Sequence, residues 1–320
     1  MLCTRSFRLW RLLPSAFLLL HLLPPAASAV NIDWVTVGGA GNPCESQLQG
    51  CFGAVANVYR IAETEVTNAQ YAEFLNAVGA TDSNALYHPG MGLGFAGGIT
   101  RSGNPGSYAY STIAGRANMP VNYVSFYDSL RFANWLQNGQ PTGAQGATTT
   151  ENGAYDMSLG SNVTRNAGAT IFLTSEDEWY KAAYYDAVSA SYFEFPAGSN
   201  AQTGCAAPGA TANTANCNNA VANLTDAKSY PNSASPNGTF DQGGNVWEWN
   251  ESISGANRGL RGGAFLNDPP SLGASVESVL DPAGGNFFVG FRVASVPEPG
   301  TGLLVMMGLL GLACRQKRRA

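Results

Sequence analysis

Charge is scarce in this chain. Only 12% of its 320 residues are Asp, Glu, Lys or Arg, about half the usual share for a soluble domain. Without a dense Lys/Arg footprint to neutralise phosphates, nucleic acid is excluded as a partner. Histidine is scarcer still, at two residues, His21 and His88, which leaves no room for poly-histidine metal chemistry. No repeat of twenty to fifty residues is present, so a solenoid or propeller is excluded as well. Long apolar runs occur only near the two ends, and no cysteine lies between Cys217 and Cys314.

The formal net charge of −5 hides an uneven distribution. Arg5, Arg8 and Arg11 open the chain, and Arg315, Lys317, Arg318 and Arg319 close it. Between Val30 and Val296 ten basic residues face twenty-one acidic ones, a body near −11. Residues 1–29 read as a secretory signal peptide: a basic start, an apolar run over 12–23 broken by Pro14, and the small-x-small site Ala27-Ser28-Ala29. At the other end Pro297-Glu298-Pro299 precedes an apolar stretch over 301–314 and the basic cluster. A tail anchor is one reading, with the cations stopping transfer. Fourteen residues at ~1.5 Å each cover only ~21 Å of a ~30 Å hydrocarbon layer. A lipid-anchor signal would lack the terminal cations. The ordered set of three elements resembles the PEP-CTERM sorting signal of Gram-negative bacteria, read by an exosortase. That resemblance implies transient membrane anchoring through 301–314, then removal of the tail and delivery to the cell surface or extracellular space.

With Cys3 and Cys314 in the processed ends, the body keeps Cys44, Cys51, Cys205 and Cys217. Four cysteines allow three connectivities. Proximity in an oxidising compartment favours two small loops, 44–51 and 205–217, and neither pair has the close spacing of a redox-active dithiol.

The body alternates short ordered signals with much irregular chain. Residues 31–37 and 55–61 suit strands, as does 169–173. Three capping boxes start helices: Thr67 with Gln70, Ser125 with Asp128, and Ser175 with Glu178. The first helix ends at Gly79 and the second at Gly139. Residues 80–120, rich in Gly, Ser, Asn and Tyr, show no periodicity and read as a long loop. A fold of this kind must satisfy its loop backbone with side chains, disulfides or metal.

Five segments carry a family resemblance: Glu65-Val66-Thr67-Asn68-Ala69-Gln70-Tyr71, Met119-Pro120-Val121-Asn122-Tyr123-Val124-Ser125-Phe126-Tyr127-Asp128, Leu173-Thr174-Ser175-Glu176-Asp177-Glu178-Trp179, Gly243-Gly244-Asn245-Val246-Trp247-Glu248-Trp249 and Arg261-Gly262-Gly263-Ala264-Phe265, closed by Gly290-Phe291-Arg292. In this order they resemble the formylglycine-generating enzyme, or sulfatase-modifying-factor, family. The resemblance implies a single α+β domain over 30–295 with C-type-lectin-like topology and little regular structure, followed by the sorting signal over 296–320. It also implies a structural calcium site using the side chains of Asp241 and Glu248 and the carbonyls of Gly244 and Val246, a donor set that suits calcium. A second family calcium site would use Asn223 and the carbonyls of Leu224 and Tyr230, but Lys228 stands at its carboxylate position, where an ammonium repels a dication.

The catalytic pattern breaks in the same comparison. Catalytic members bind copper(I) through two cysteines after the Gly-Gly pair; here those positions fall on Asn267 and Leu272. Thiolates suit copper(I), whereas a carboxamide and an aliphatic chain do not, so copper is not expected. The family disulfide would join the positions of Ala133 and Val293, both apolar here. The iron-dependent relatives need several histidines, and the processed body has only His88. The expectation is a non-catalytic binding or matrix-associated protein that engages a glycan or extracellular polysaccharide. Tyr87, Tyr108, Tyr110 and Tyr123 would suit such a surface, against ordinary packing of a loop-rich fold as the favoured reading for each ring. The alternative is a divergent enzyme using Asp268, Asp281 or Arg292, with Arg292 more naturally buried in an ion pair.

Overall fold

The computed structural model describes residues 29–297 apart from Phe95. The proposed leader, the apolar stretch 301–314, Glu298 and Pro299 lie outside the described residues.

All three capping boxes form. Helix α1 (Asn68–Val78) begins with the Gln70 amide donating to the Thr67 hydroxyl, while the Gln70 side chain accepts from the Thr67 amide. Helix α2 (Phe126–Gln137) repeats this with Ser125 and Asp128, and α3 (Glu176–Tyr184) with Ser175 and Glu178. The three acidic residues in the first turn of α3 also suit the positive end of the helix dipole. Helix α2 is capped by Asn138, and Gly139 follows in left-handed backbone with φ of 80°, the expected stop.

The strands are short. A four-stranded antiparallel sheet runs in the spatial order 34–37, 59–62, 293–295, 171–173, so the C-terminal strand fills a central position. The expected strand over 55–61 is confined to Tyr59–Ala62, and the expected strand over 31–37 begins only at Trp34. A second sheet orders 278–280, 257–261, 247–254 and 289–290, the last pair parallel. The reading of 80–120 as loop throughout is corrected by a hairpin, Ile99–Ser102 against Ala109–Thr112. Its exposed face is Thr/Ser/Ala rather than charged, so the period-2 signal is weak.

The core between α1 and α2 is aromatic. Tyr71, Phe74, Phe132, Trp135 and Phe291 meet at ring separations of 5.2 to 6.4 Å. Ala133 and Val293 are both fully buried in this core, where the family would place a bridge. The cysteines pair 44–51 and 205–217. Elsewhere, carboxamides satisfy the loops. Asn134 donates to the carbonyls of Thr150 and Tyr155 and accepts from the Tyr155 amide. Asn237 donates to three carbonyls around the end of α3. Among the described residues, no helix is long and apolar enough to cross a membrane.

Candidate functional site

The segment 241–249 passes from a tight turn into the longest strand. Asp241, Gly244 and Asn245 all have left-handed backbone, with φ of 59°, 88° and 58°. Gly244 is required there twice over, since a Cβ would also sit 2.4 Å from the Asn216 carbonyl oxygen. Asn245 ties the turn to its surroundings: its carboxamide oxygen accepts from Asn216 and the Thr225 amide, and its nitrogen donates to Glu65.

From Trp247 the chain is extended, and the side chains alternate. The Trp247 indole donates to the Asn267 side chain and the Trp249 indole to the Val124 carbonyl. Glu248 points the other way and is completely buried. Its carboxylate grips Arg292 through two bonds of 2.6 Å and accepts from the Trp179 indole at 2.7 Å. Arg292 is also fully buried and spends its remaining hydrogens on the carbonyls of Ala62, Glu63 and Phe240. The expectation that Arg292 is an interior ion-pair partner holds. Although burial works against its charge, Glu248 holds the guanidinium protonated.

Two more carboxylates share this interior. Glu65 is buried, with Oε2 lacking any hydrogen-bond partner. Burial first, then the Asp241 charge, pushes its carboxyl well above the usual range. Asp241 accepts the Lys228 amide on Oδ2, and burial raises it to about 6 against the pull of that bond and of Arg292. Glu65 and Asp241 thus both feel the Arg292 charge, while Glu248 alone of the three bonds to it. Among the described residues no three His, Cys, Asp or Glu side chains converge as a ligand cluster, so a cation here must lean on main-chain carbonyls.

At the second family metal position, the Lys228 ammonium pairs with Glu63 and lies 5.8 Å from the Phe240 ring. The Tyr230 carbonyl accepts from the Ser233 amide, and the Asn223 carbonyl from the Asn216 side chain.

Asn267 and Leu272 are both committed to the fold. The Asn267 carboxamide oxygen accepts from the Trp247 indole and the Ala264 amide, each at 2.9 Å. Leu272 is fully buried beside Phe195, Ala215 and Cys217. Asp268 and Asp281 are exposed and accept local bonds from Ser271 and the Ala283 amide. Neither is among the partners of Arg292, so the alternative catalytic set is not brought together.

Of the four tyrosines weighed for a surface role, the structure packs two away, in line with the reading of them as ordinary packing. Tyr87 and Tyr110 are buried, their hydroxyls donating to the carbonyls of Ile99 and Gly79. Tyr108 is half-buried against the Arg101 guanidinium, which Tyr87 flanks as well. Tyr123 borders an open cleft, with His88, Tyr127, Asp128 and Arg131. Sequence reading missed Trp179 as a partner of Glu248, because 69 residues separate them. It also missed the cleft, whose walls come from three distant segments.

An aromatic-rich helical pair, a small sheet with the C-terminal strand at its centre and the buried Glu248–Arg292 pair make up the interior around this turn. Residues 53–296 match the sulfatase-modifying factor enzyme 1-like domain, and the chain belongs to that family. Residues 295–319 match the PEP-CTERM protein-sorting motif, which implies exosortase-mediated sorting and export through the membrane in Gram-negative bacteria. The hercynine oxygenase of Mycobacterium tuberculosis is 24% identical over 262 residues, covering 74% of this chain; the chain spans about half, 52%, of that relative. Among solved structures, CarF is similar with a TM-score of 0.51 at 18% identity, over 84% of this chain and all of that one. The Treponema denticola variable protein 1 is similar with a TM-score of 0.51 at 17% identity, over 85% of this chain and 98% of that one. These likenesses show the fold.

Proposed function

We propose that this chain is a non-catalytic member of its family: a binding domain, secreted through its leader, held transiently by its sorting tail and released to the cell surface or matrix, where it engages a glycan or extracellular polysaccharide. The observation that carries the reading is the fate of the two positions where catalytic members place thiols. Asn267 is locked by the Trp247 indole and the Ala264 amide, and Leu272 is sealed in apolar contacts. Neither offers a soft ligand, and the donor set does not fit copper(I). The four described cysteines are all consumed in disulfides.

The test uses the purified, exported protein with copper(I), oxygen and a thiol peptide. No stoichiometric copper binding and no peptide-dependent oxygen uptake are expected; either one overturns the reading. In culture, deleting 297–320 should abolish surface retention, and unchanged retention refutes the sorting role.

A calcium ion belongs to the same proposal. The turn at 241–248 supplies only oxygen donors, which suit a hard dication, and the orphaned Glu65 Oε2 lies in the same interior. Asp241 and the carbonyls of Gly244 and Val246 would hold it, with Glu248 sharing an oxygen already bonded to Arg292. Its contribution would be to neutralise the turn and fix its left-handed backbone.

A further inference from the structure

The cleft beside Tyr123 encloses about 280 Å³ between the 84–90 loop, the start of α2 and the 283–285 loop. The backbone goes to some length to build it. Tyr123 has φ of 59°, an outlier for a bulky side chain, held by its amide donating to the Asn286 carbonyl. Gly285 makes this approach feasible, because a Cβ there would lie 2.5 Å from the Tyr123 carbonyl oxygen. Strain of this kind persists where surrounding structure over-determines it, and it clusters at ligand sites. Its result here is a flat aromatic pair, His88 stacked on Tyr123 at 5.2 Å with planes 6° apart.

The polar groups of the cleft are half-occupied. Asp128 Oδ2 accepts from both the amide and the hydroxyl of Ser125, and no described bond engages Oδ1. Arg131 gives Nε and Nη2 to Glu151, and no described bond engages Nη1. The His88 Nδ1 accepts from the Gly90 amide, which assigns the proton to Nε2 and makes that nitrogen a donor. The cleft therefore combines an aromatic platform, a free carboxylate acceptor and two free donors. Hydroxyl groups, which donate and accept at once, satisfy this mixture. With Asp128 and Glu151 against Arg131 the local charge is negative, which disfavours uronate, sulfate or phosphate groups. The volume lies at the small end of ligand pockets and suits one ring rather than several.

We infer that this cleft is a binding subsite for a single neutral pyranose unit, with an outer face of the His88–Tyr123 stack against the sugar and Asp128 and Arg131 on its hydroxyls. This rests on the binding reading above and gives it a location. The test measures methyl glycosides of glucose, galactose and N-acetylglucosamine against the exported protein by saturation-transfer NMR and calorimetry, with methyl glucuronide as the charged comparator. Saturable binding to at least one neutral glycoside is expected, with the glucuronide weaker. His88→Ala should weaken it by about fivefold, the loss of one aromatic contact. Ala283→Trp, an exposed cleft-lining position, should abolish it by filling the space. Ala283→Trp should keep the parent melting temperature, while His88→Ala should stay folded with a small fall from losing its Gly90 bond and ring stack. No binding at tens of millimolar glycoside, or binding untouched by Ala283→Trp, overturns the site. If the protein still captures whole polysaccharide with Ala283→Trp in place, this subsite is wrong while the binding reading stands. If the parent protein captures no polysaccharide and consumes oxygen with copper, the broader reading fails instead.

Discussion

Replacing Arg292 by Met should be among the most damaging single changes available to this domain. The guanidinium makes two 2.6 Å bonds to Glu248 and caps the carbonyls of Ala62, Glu63 and Phe240, all in the interior. Methionine fills much of the volume but leaves Glu248 as a buried anion whose one remaining described donor is Trp179, and it strips three carbonyls of a donor. Breaking a buried pair by removing one partner costs about 3–5 kcal/mol. For a domain of this size that corresponds to a fall of roughly 6–20 °C in melting temperature. Urea unfolding followed by tryptophan fluorescence, with chelator present throughout to keep metal effects apart, measures it directly. The partner change Glu248→Leu should cost a similar amount, because it strands the cation. The double variant should cost far less than the sum, with a coupling of about 2 kcal/mol or more. A cost below about 1 kcal/mol for Arg292→Met, or simple additivity in the double variant, would refute the view that the pair acts as one buried unit.

Calcium removal by chelation should lower the melting temperature, by the equivalent of about 2.7 kcal/mol if the ion was present at a hundredfold its dissociation constant. Asp241→Ala should mimic that loss and respond no further to chelator; a chelator shift that persists in this variant removes the site. Replacing Cys205 and Cys217 together by Ser should cost about 2–3 kcal/mol for a loop of this length, and thiol titration of the processed native protein should find no reactive thiol. Burial holds the Asp128 carboxyl at about 6 in spite of the Ser125 bonds. The folded state therefore binds more protons than the unfolded one between about pH 4 and 6, and stability falls as pH rises through that window. Asp128→Asn should flatten that part of the profile and raise stability at pH 7 by on the order of 2 kcal/mol; an unchanged slope in denaturation between pH 4 and 7 refutes the assignment.

What could be read from the sequence divides by range. The helix starts at Thr67, Ser125 and Ser175 were legible because a capping box is a contact between residues three apart. The 44–51 and 205–217 bridges were legible for the same reason. The alternation at 247–249 correctly separated the two indoles from Glu248, but it could not name Arg292 or Trp179, which arrive from 44 and 69 residues away. Packing is the favoured reading for Tyr87 and Tyr110, but their Gly-rich, aperiodic stretch could not say against what; the hydroxyls reach the Ile99 and Gly79 carbonyls, contacts that depend on the hairpin. The cleft at Tyr123 depends on a left-handed tyrosine backbone, for which the residue type gives no warning.

The placement of strand 293–295 has a consequence for the order of events in the cell. This strand lies between 59–62 and 171–173 and hydrogen-bonds to both, so the first sheet has a gap at its centre until nearly the whole chain has been made. Strands 34–37 and 59–62 can pair with each other early, but strand 171–173 has nothing joining it to them until 293–295 arrives. The sorting motif begins at residue 295, inside that last strand. Completion of the sheet and presentation of the tail to its processing enzyme are thus set by one short stretch of backbone, and a chain cut short of it would lack both its central strand and its address.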